Sequence, residues 1–377
     1  KEALARGWEQ VAFGIVTGDA YVDHPSFGTA LIGRILEKEG FSVGIISQPD
    51  WRQERSIQIY GEPRLAFLVG SGNIDSMVNN YTASKRPRRT DEYSPGGKSG
   101  FRPDRALSVY VDMVKKSYPN TPVVIGGIEA SLRRFAHYDY WSDIIMPSIL
   151  VDTQADMLLY GMSETQIKTL AHGLAKGWPI HKIKDIPGTC YISSSLPKGN
   201  KYTLISSFEE VSTEKIKFAE AFQIQSREQN PFIGSTLVQK HGDLYLVQLP
   251  PAKPLSQAEM DELYRLPFTR TYHPRYKNAG GVPALQEVEF SVTDHRGCFG
   301  GCSFCAISFH QGRIIQNRSE TSVLDEIRLM THQPGFKGYI HDIGGPTANF
   351  RNVACKKQLT SGACKEKQCL DPIMCPS

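Results

Sequence analysis

Residues 295–313 read HRGCFGGCSFCAISFHQGR. Three cysteines, Cys298, Cys302 and Cys305, fall at C-x3-C-x2-C spacing among glycines and aromatics. Three thiolates are one short of the set that closes a tetrahedral zinc site. Zinc would draw its ligands as short pairs, and no second C-x2-C or H-x3-H pair follows at the usual distance. A 4Fe–4S cube has four irons, so three protein thiolates leave one iron open to an external ligand. Gly297, Gly300 and Gly301 let the backbone wrap closely and turn amide N–H groups toward the sulfurs, which helps set a cluster's potential. The competing reading is a set of thiols with only a structural role. The strand before them and the helix after them weigh against it.

Outward from this loop, residues 288–292 (VEFSV) alternate like a strand and deliver the cysteines. Ser322 with Asp325 forms an N-terminal capping pattern, and Val323, Ile327 and Met330 share one helical face. That helix should stop before Pro334-Gly335. Residues 338–343 (GYIHDI) read as the next strand, ending in Gly344-Gly345-Pro346. The cysteine loop and this turn thus follow consecutive strands, on what would be the catalytic rim of a parallel barrel.

The Cys298-x3-Cys302-x2-Cys305 spacing, with Phe304 before the last cysteine, resembles the signature of the radical S-adenosylmethionine (radical SAM) superfamily. The string HRGCFGGCSFCAISFHQGRIIQNRSE, with DIGGPTANF downstream, is similar to the YgiQ-like (UPF0313) family within it. The resemblance implies that the three cysteines hold a 4Fe–4S cluster whose open iron is chelated by S-adenosylmethionine. It places Phe304 near the adenine, and it matches Gly344-Gly345 to a "GGE" turn whose backbone receives the methionine amino group. Pro346 stands where that turn has Glu, so a carboxylate contribution is absent. It further implies reductive cleavage of S-adenosylmethionine to a 5′-deoxyadenosyl radical, with electrons from a donor such as flavodoxin or ferredoxin. The superfamily barrel has about six strand–helix units, and about two fit after residue 288, so the expected barrel is partial.

The first 165 residues alternate strand and helix signals. Apolar runs at 11–16, 43–46, 65–69, 123–125 and 157–160 are separated by helical patterns at 27–40 and 104–116. Strands buried on both faces and joined through helices predict a doubly wound parallel sheet. The expected organisation is therefore α/β: a Rossmann-like, cobalamin-binding-like domain over 1–175, a connector over 176–284, and the start of a radical SAM (β/α) barrel over 285–377. Within the connector, residues 213–225 suggest a helix and 237–249 a hairpin turning at HGD. Ligands in such sheets bind beyond the strands' carboxyl ends. Three loops fall there: 17–28, 70–105 and 126–141. The first contains Asp23-His24-Pro25-Ser26-Phe27-Gly28, a near match to the D-x-H-x-x-G by which some relatives ligate cobalamin. Asp is adjacent to His here and Gly is one residue late, so a loop histidine bonding backbone competes with a cobalt ligand. Gly126-Gly127 and Arg133-Arg134 lie at the same mouth, where a turn and a solvated helix start are the plain alternative.

The net charge of +4 is matched by residues 81–105 alone, with seven Lys/Arg against three Asp/Glu. The chain is therefore no general nucleic-acid coat. The long basic stretch reads as a mobile flap or a solvated insertion, and it suits an anionic substrate, RNA among them. No apolar run is long enough for a membrane helix, and the first residues show no signal-peptide pattern. Seven of eight cysteines crowd into 298–375, a distribution of metal ligation in a reducing cytoplasm rather than of disulfides. Four of them, Cys355, Cys364, Cys369 and Cys375, are enough for an auxiliary iron–sulfur cluster or a structural zinc, with ordinary thiols as the alternative. Beside a radical SAM enzyme of unassigned substrate, two alternatives stand. One is a cobalamin-dependent methyltransferase; the other is a non-catalytic iron–sulfur or zinc module.

Overall fold

The computed structural model describes residues 5–199, 202–302, 304–346, 350–352, 355–366, 369–370 and 373–376. Its main body is one nine-stranded sheet. Strands β1 (Phe13–Thr17), β2 (Val43–Ser47), β3 (Ala66–Gly70), β4 (Val123–Ile125) and β5 (Met157–Leu159) run parallel in the spatial order 2-1-3-4-5. That order is a doubly wound one, with its switch point between β1 and β3.

Side-chain alternation explains why both faces are covered. In β3, Phe67 and Val69 point into one core and Ala66 and Leu68 into the other. Helix α1 (Gly28–Lys38) buries Leu31, Ile35 and Leu36 on the second face. Helix α2 (Ala106–Ser117) buries Leu107, Tyr110, Val111 and Val114 on the first. Each such side chain removed from water contributes about 1.5–3 kcal/mol. The expected stop of α1 is present: Gly40 takes φ +86, and the N–H of Phe41 returns to the carbonyl of Leu36. Two further helices matter for the site, α3 (Gly127–Leu132) and α4 (Glu164–Ala175).

The sheet runs across position 175. The stretch expected to be a connector supplies β6 (Thr189–Ser193), β7 (Tyr202–Ile205), β8 (Thr236–His241) and β9 (Leu244–Gln248). The full order is β7-β8-β9-β6-β5-β4-β3-β1-β2, with β6 antiparallel to β5 and β8–β9 the expected hairpin. Residues 213–225 fall mostly within a helix over Lys215–Arg227.

Residues 81–105 are a tied loop and not a free flap. Arg102 is buried, pairs with Asp19 at 2.8 Å and Asp91 at 3.5 Å, and donates to the carbonyl of Ser71 at 2.8 Å. The N–H of Gly96 reaches the carbonyl of Gly281, and that of Ala284 reaches Glu92. Long polar loops stay close only when their backbone groups find partners, and this one has them.

After helix α5 (Gln257–Tyr264) a smaller unit begins. Strand β10 (Ser291–Thr293) leads to a ladder of β11 (His295–Arg296) and β12 (Gln316–Asn317); helix α6 (Glu320–Thr331) and strand β13 (Asp342–Gly344) follow. β10 and β13 are parallel, Thr293 opposite Gly344, and their core is Phe290, Val292, Val323 and Met330. This is a β-α-β unit as expected, with three shifts. Leu285–Val288 is a helical turn, and the first strand lies at 291–293 rather than 288–292. The capping residue is Ser319, whose hydroxyl accepts from the N–H of Ser322 at 3.1 Å, and the second strand is confined to 342–344.

Candidate functional site

The cysteine loop hangs from the β11–β12 ladder. Its neck is closed by the N–H of Cys298 donating to the carbonyl of Gly312 at 3.1 Å, and by the N–H of Gly297 donating to Gln311 Oε1 at 3.1 Å. Gly297 has φ +89, and a Cβ there would lie 2.3 Å from the carbonyl oxygen of Ile314. Only glycine makes that turn without displacing backbone. Gly300 sits between two thiols: a Cβ on it would fall 3.3 Å from Cys298 Sγ and 3.7 Å from Cys302 Sγ. Its N–H donates to Cys298 Sγ at 3.4 Å. Cys298 is buried, Cys302 exposed and Cys305 half-buried, while Phe304 is 90% exposed.

Among the described residues, no three Cys, His, Asp or Glu side chains gather closely enough to hold a single metal ion. A cube takes each thiolate on a different iron, so its sulfurs lie on a wider frame than zinc's. The donor set fits an iron–sulfur cluster: three thiols on a loop whose glycine backbone faces two of them.

The turn at Gly344-Gly345-Pro346 is brought against this loop. Parallel pairing of β10 with β13 starts the approach, and the N–H of Asp294 donates to the carbonyl of Gly344 at 3.0 Å. His295 is fully buried, bonds Asp294 through Nδ1, and lays its ring on Gly345; a Cβ there would be 2.1 Å from His295 Nε2. Phe299 of the cysteine loop stacks on Phe350 beyond the turn, with centroids 4.1 Å apart.

The loop is also locked to the sheet. Arg296 is buried and paired with Glu164, the first residue of α4. Burial opposes its charge, but Glu164 outweighs that and its pKa stays above the ordinary value. His310 Nδ1 lies 3.0 Å from Ser131 Oγ, which also accepts from the N–H of Gly161 at 3.1 Å. Burial, with Arg134 and Arg296 nearby, pushes the His310 pKa down to about 4, so its ring is neutral near pH 7.

Two clefts meet at His310, and Gly161, Met162 and Ser163 line both. One, of about 840 Å³, is apolar and lies over the carboxyl ends of β1, β3, β4 and β5, with Gly126 and Gly127 in its wall. The other, of about 740 Å³, runs between the cysteine loop and the end of β9. Arg134, Lys253 and Arg313 line it, and its one lining carboxylate among the described residues, Glu164, is committed to Arg296. Arg133 and Arg134 are not at a solvated helix start. Arg133 pairs with Asp75, and buried Arg134 donates to Gln248 Oε1 at 2.5 Å. His310 and Arg313 lie in the stretch after Cys305 but carry no sequence signal of their own.

His24 is placed away from both clefts. It is buried, its Nδ1 accepts from the N–H of Ser26 at 3.1 Å, and burial followed by Arg270 holds its pKa well below the usual value. Asp23 is taken by Arg34 and by the N–H of Thr269 at 3.0 Å. The near match to a cobalt-ligating motif is thus a structural turn.

A three-cysteine loop on a small β-α-β unit that follows a doubly wound sheet is the arrangement expected of a radical SAM protein, and comparison with known proteins gives that family. Residues 1–291 match the family model described as Radical SAM N-terminal. The chain is 58% identical over 370 residues to a UPF0313 protein of Clostridium botulinum, covering 98% of this chain and 57% of that protein. It is 54% identical over 375 residues to one of Clostridium perfringens, covering 99% of this chain and 57% of that protein. The chain belongs to the radical SAM superfamily, in the UPF0313 family. It spans little more than half the length of these relatives. Among solved structures, the radical SAM methyltransferase TsrM of Kitasatospora setae, with tryptophan and a SAM analogue bound, aligns at a TM-score of 0.46. Identity is 16%, over 85% of this chain and 45% of that one. Among the described residues no helix is long and apolar enough to cross a membrane.

Proposed function

We propose that this chain carries the cofactor site of a radical SAM enzyme, with Cys298, Cys302 and Cys305 as ligands of a 4Fe–4S cluster and S-adenosylmethionine on the open iron. The observation that supports this reading is a three-thiol loop in which Gly300 lies beside Cys298 Sγ and Cys302 Sγ, with the Gly344-Gly345 turn packed on His295, three residues before Cys298. Cluster and S-adenosylmethionine together supply a radical that abstracts hydrogen from a substrate. The protein's part is position and exclusion of water. Gly344 and Gly345 offer backbone to the methionine amino group, exposed Phe304 offers a ring face to the adenine, and Pro346 contributes no carboxylate. Substrate would occupy the cleft behind the loop, where Arg134, Lys253 and Arg313 favour an anionic group. Neutral His310 lines both clefts and would serve as an uncharged wall between them. A small low-potential electron protein, flavodoxin or ferredoxin, would serve as donor.

The test is anaerobic reconstitution followed by EPR of the reduced protein with and without S-adenosylmethionine. A changed cluster spectrum on addition supports the open iron; an unchanged one rejects it. Cys302→Ala should lose the S-adenosylmethionine-responsive part of the cluster signal and S-adenosylmethionine cleavage together. A second reading, cobalamin-dependent methyl transfer, is favoured by the apolar cleft over the sheet mouth, though without His24 as a ligand. Incubation with cobalamin and desalting should then leave its visible absorption on the protein.

A further inference from the structure

Four of the five cysteines that the proposed cluster does not use are drawn into one neighbourhood. Cys355 opens a short helical turn, in which the N–H of Gln358 donates to the carbonyl of Cys355 at 3.0 Å. From that turn Lys357 reaches Cys364 Sγ at 3.8 Å and Gln358 reaches Cys369 Sγ at 3.9 Å. The N–H of Cys375 donates to the carbonyl of Cys369 at 2.9 Å, and Cys369 lies within electrostatic reach of the other three thiols. No disulfide joins any of the chain's eight cysteines.

The neighbourhood is anchored from outside. Asn230 donates to the carbonyls of Ser361 and Ala363 at 2.8 and 2.6 Å, and Lys365 pairs with Glu228 at 2.7 Å. Arg313, eight residues past Cys305, donates to the carbonyl of Cys364 at 3.1 Å, so this group abuts the first cysteine loop. An all-cysteine iron–sulfur cluster is net negative, and Arg313 and Lys357 bring positive charge to it.

The spacing separates an iron–sulfur cube from zinc. The intervals of eight, four and five residues provide one short ligand pair, where a structural zinc site takes two. A cube takes each thiolate on a different iron, so four cysteines close it with no further ligand.

We infer that Cys355, Cys364, Cys369 and Cys375 hold a second 4Fe–4S cluster, fully ligated by protein, beside the first cysteine loop. The full-length protein, purified and reconstituted anaerobically, should bind about eight iron and eight sulfide per chain. The variant Cys364→Ser/Cys369→Ser should fall to about half that iron and keep the EPR response to S-adenosylmethionine, which also shows that it folds. The variant Cys298→Ala/Cys302→Ala/Cys305→Ala should likewise retain about half, with no such response. Full-length protein with half the expected iron, all lost in the triple variant, overturns the second cluster and leaves the radical SAM reading standing. One zinc per chain that disappears with Cys364→Ser/Cys369→Ser overturns it as well. Iron retained by the triple variant, alongside an unresponsive wild-type spectrum, sinks the radical SAM reading and keeps this one.

Discussion

Gly297 and Gly345 show how single residues decide whether the site can form. Each lacks a side chain for a different reason. Gly297 combines a left-handed backbone with a carbonyl 2.3 Å from where a Cβ would be, and a Cβ on Gly345 would lie 2.1 Å from His295 Nε2. Gly297→Ala should destabilise the protein by about 1–3 kcal/mol, read in urea unfolding. Gly345→Ala should weaken S-adenosylmethionine binding by more than its loss of stability explains, measured by titration of the reconstituted protein. His310 makes a pH prediction. Its folded pKa of about 4 lies below the unfolded value, so the unfolded chain binds more protons between the two. Stability from this group is present above about pH 6.5 and is lost as pH falls toward 4. His310→Gln should therefore lose less stability than wild type between pH 7 and pH 4.5, compared by unfolding at each pH.

At the scale of elements, the loop over 81–105 is the instructive case. Its basic composition suggests solvent, but one guanidinium is turned inward to bind two carboxylates at the sheet's mouth. Burial raises the pKa of Asp19 to about 6 even with Arg102 opposing, so Arg102 is what keeps that carboxyl near ionisation. Arg102→Ala leaves Asp19 and Asp91 buried without their partner and should cost about 3–5 kcal/mol. The loop should then become open to proteolysis at neutral pH; full protease resistance would count against this account. The ion pair between Arg296 and Glu164 does the same work for the cysteine loop, joining it to the first turn of α4.

For the whole molecule, the continuous sheet matters most. Strand β6 hydrogen-bonds onto β5, and β9, β8 and β7 extend the same sheet rather than forming a separate connector; β9 leads into the wall of the cleft beside the cysteine loop. Amides in 157–159 and 189–193 should therefore exchange as one cooperative unit, whereas an earlier, separate opening of 189–193 would argue for an independent segment. Much of this was legible in the chain. The apolar runs marked all five parallel strands, the glycine after α1 marked its end, and the C-x3-C-x2-C spacing marked a three-thiol loop with one corner left open. Those signals are local, set by backbone conformation and by side chains a few residues apart. What only the tertiary structure decided depends on segments far apart in sequence. It set Gly345 against His295, turned Arg102 and Arg134 inward, removed His24 from the clefts and placed Arg313 beside Cys364. Burial and pairing across such distances come from packing whole elements together, and no spacing within a short stretch encodes them.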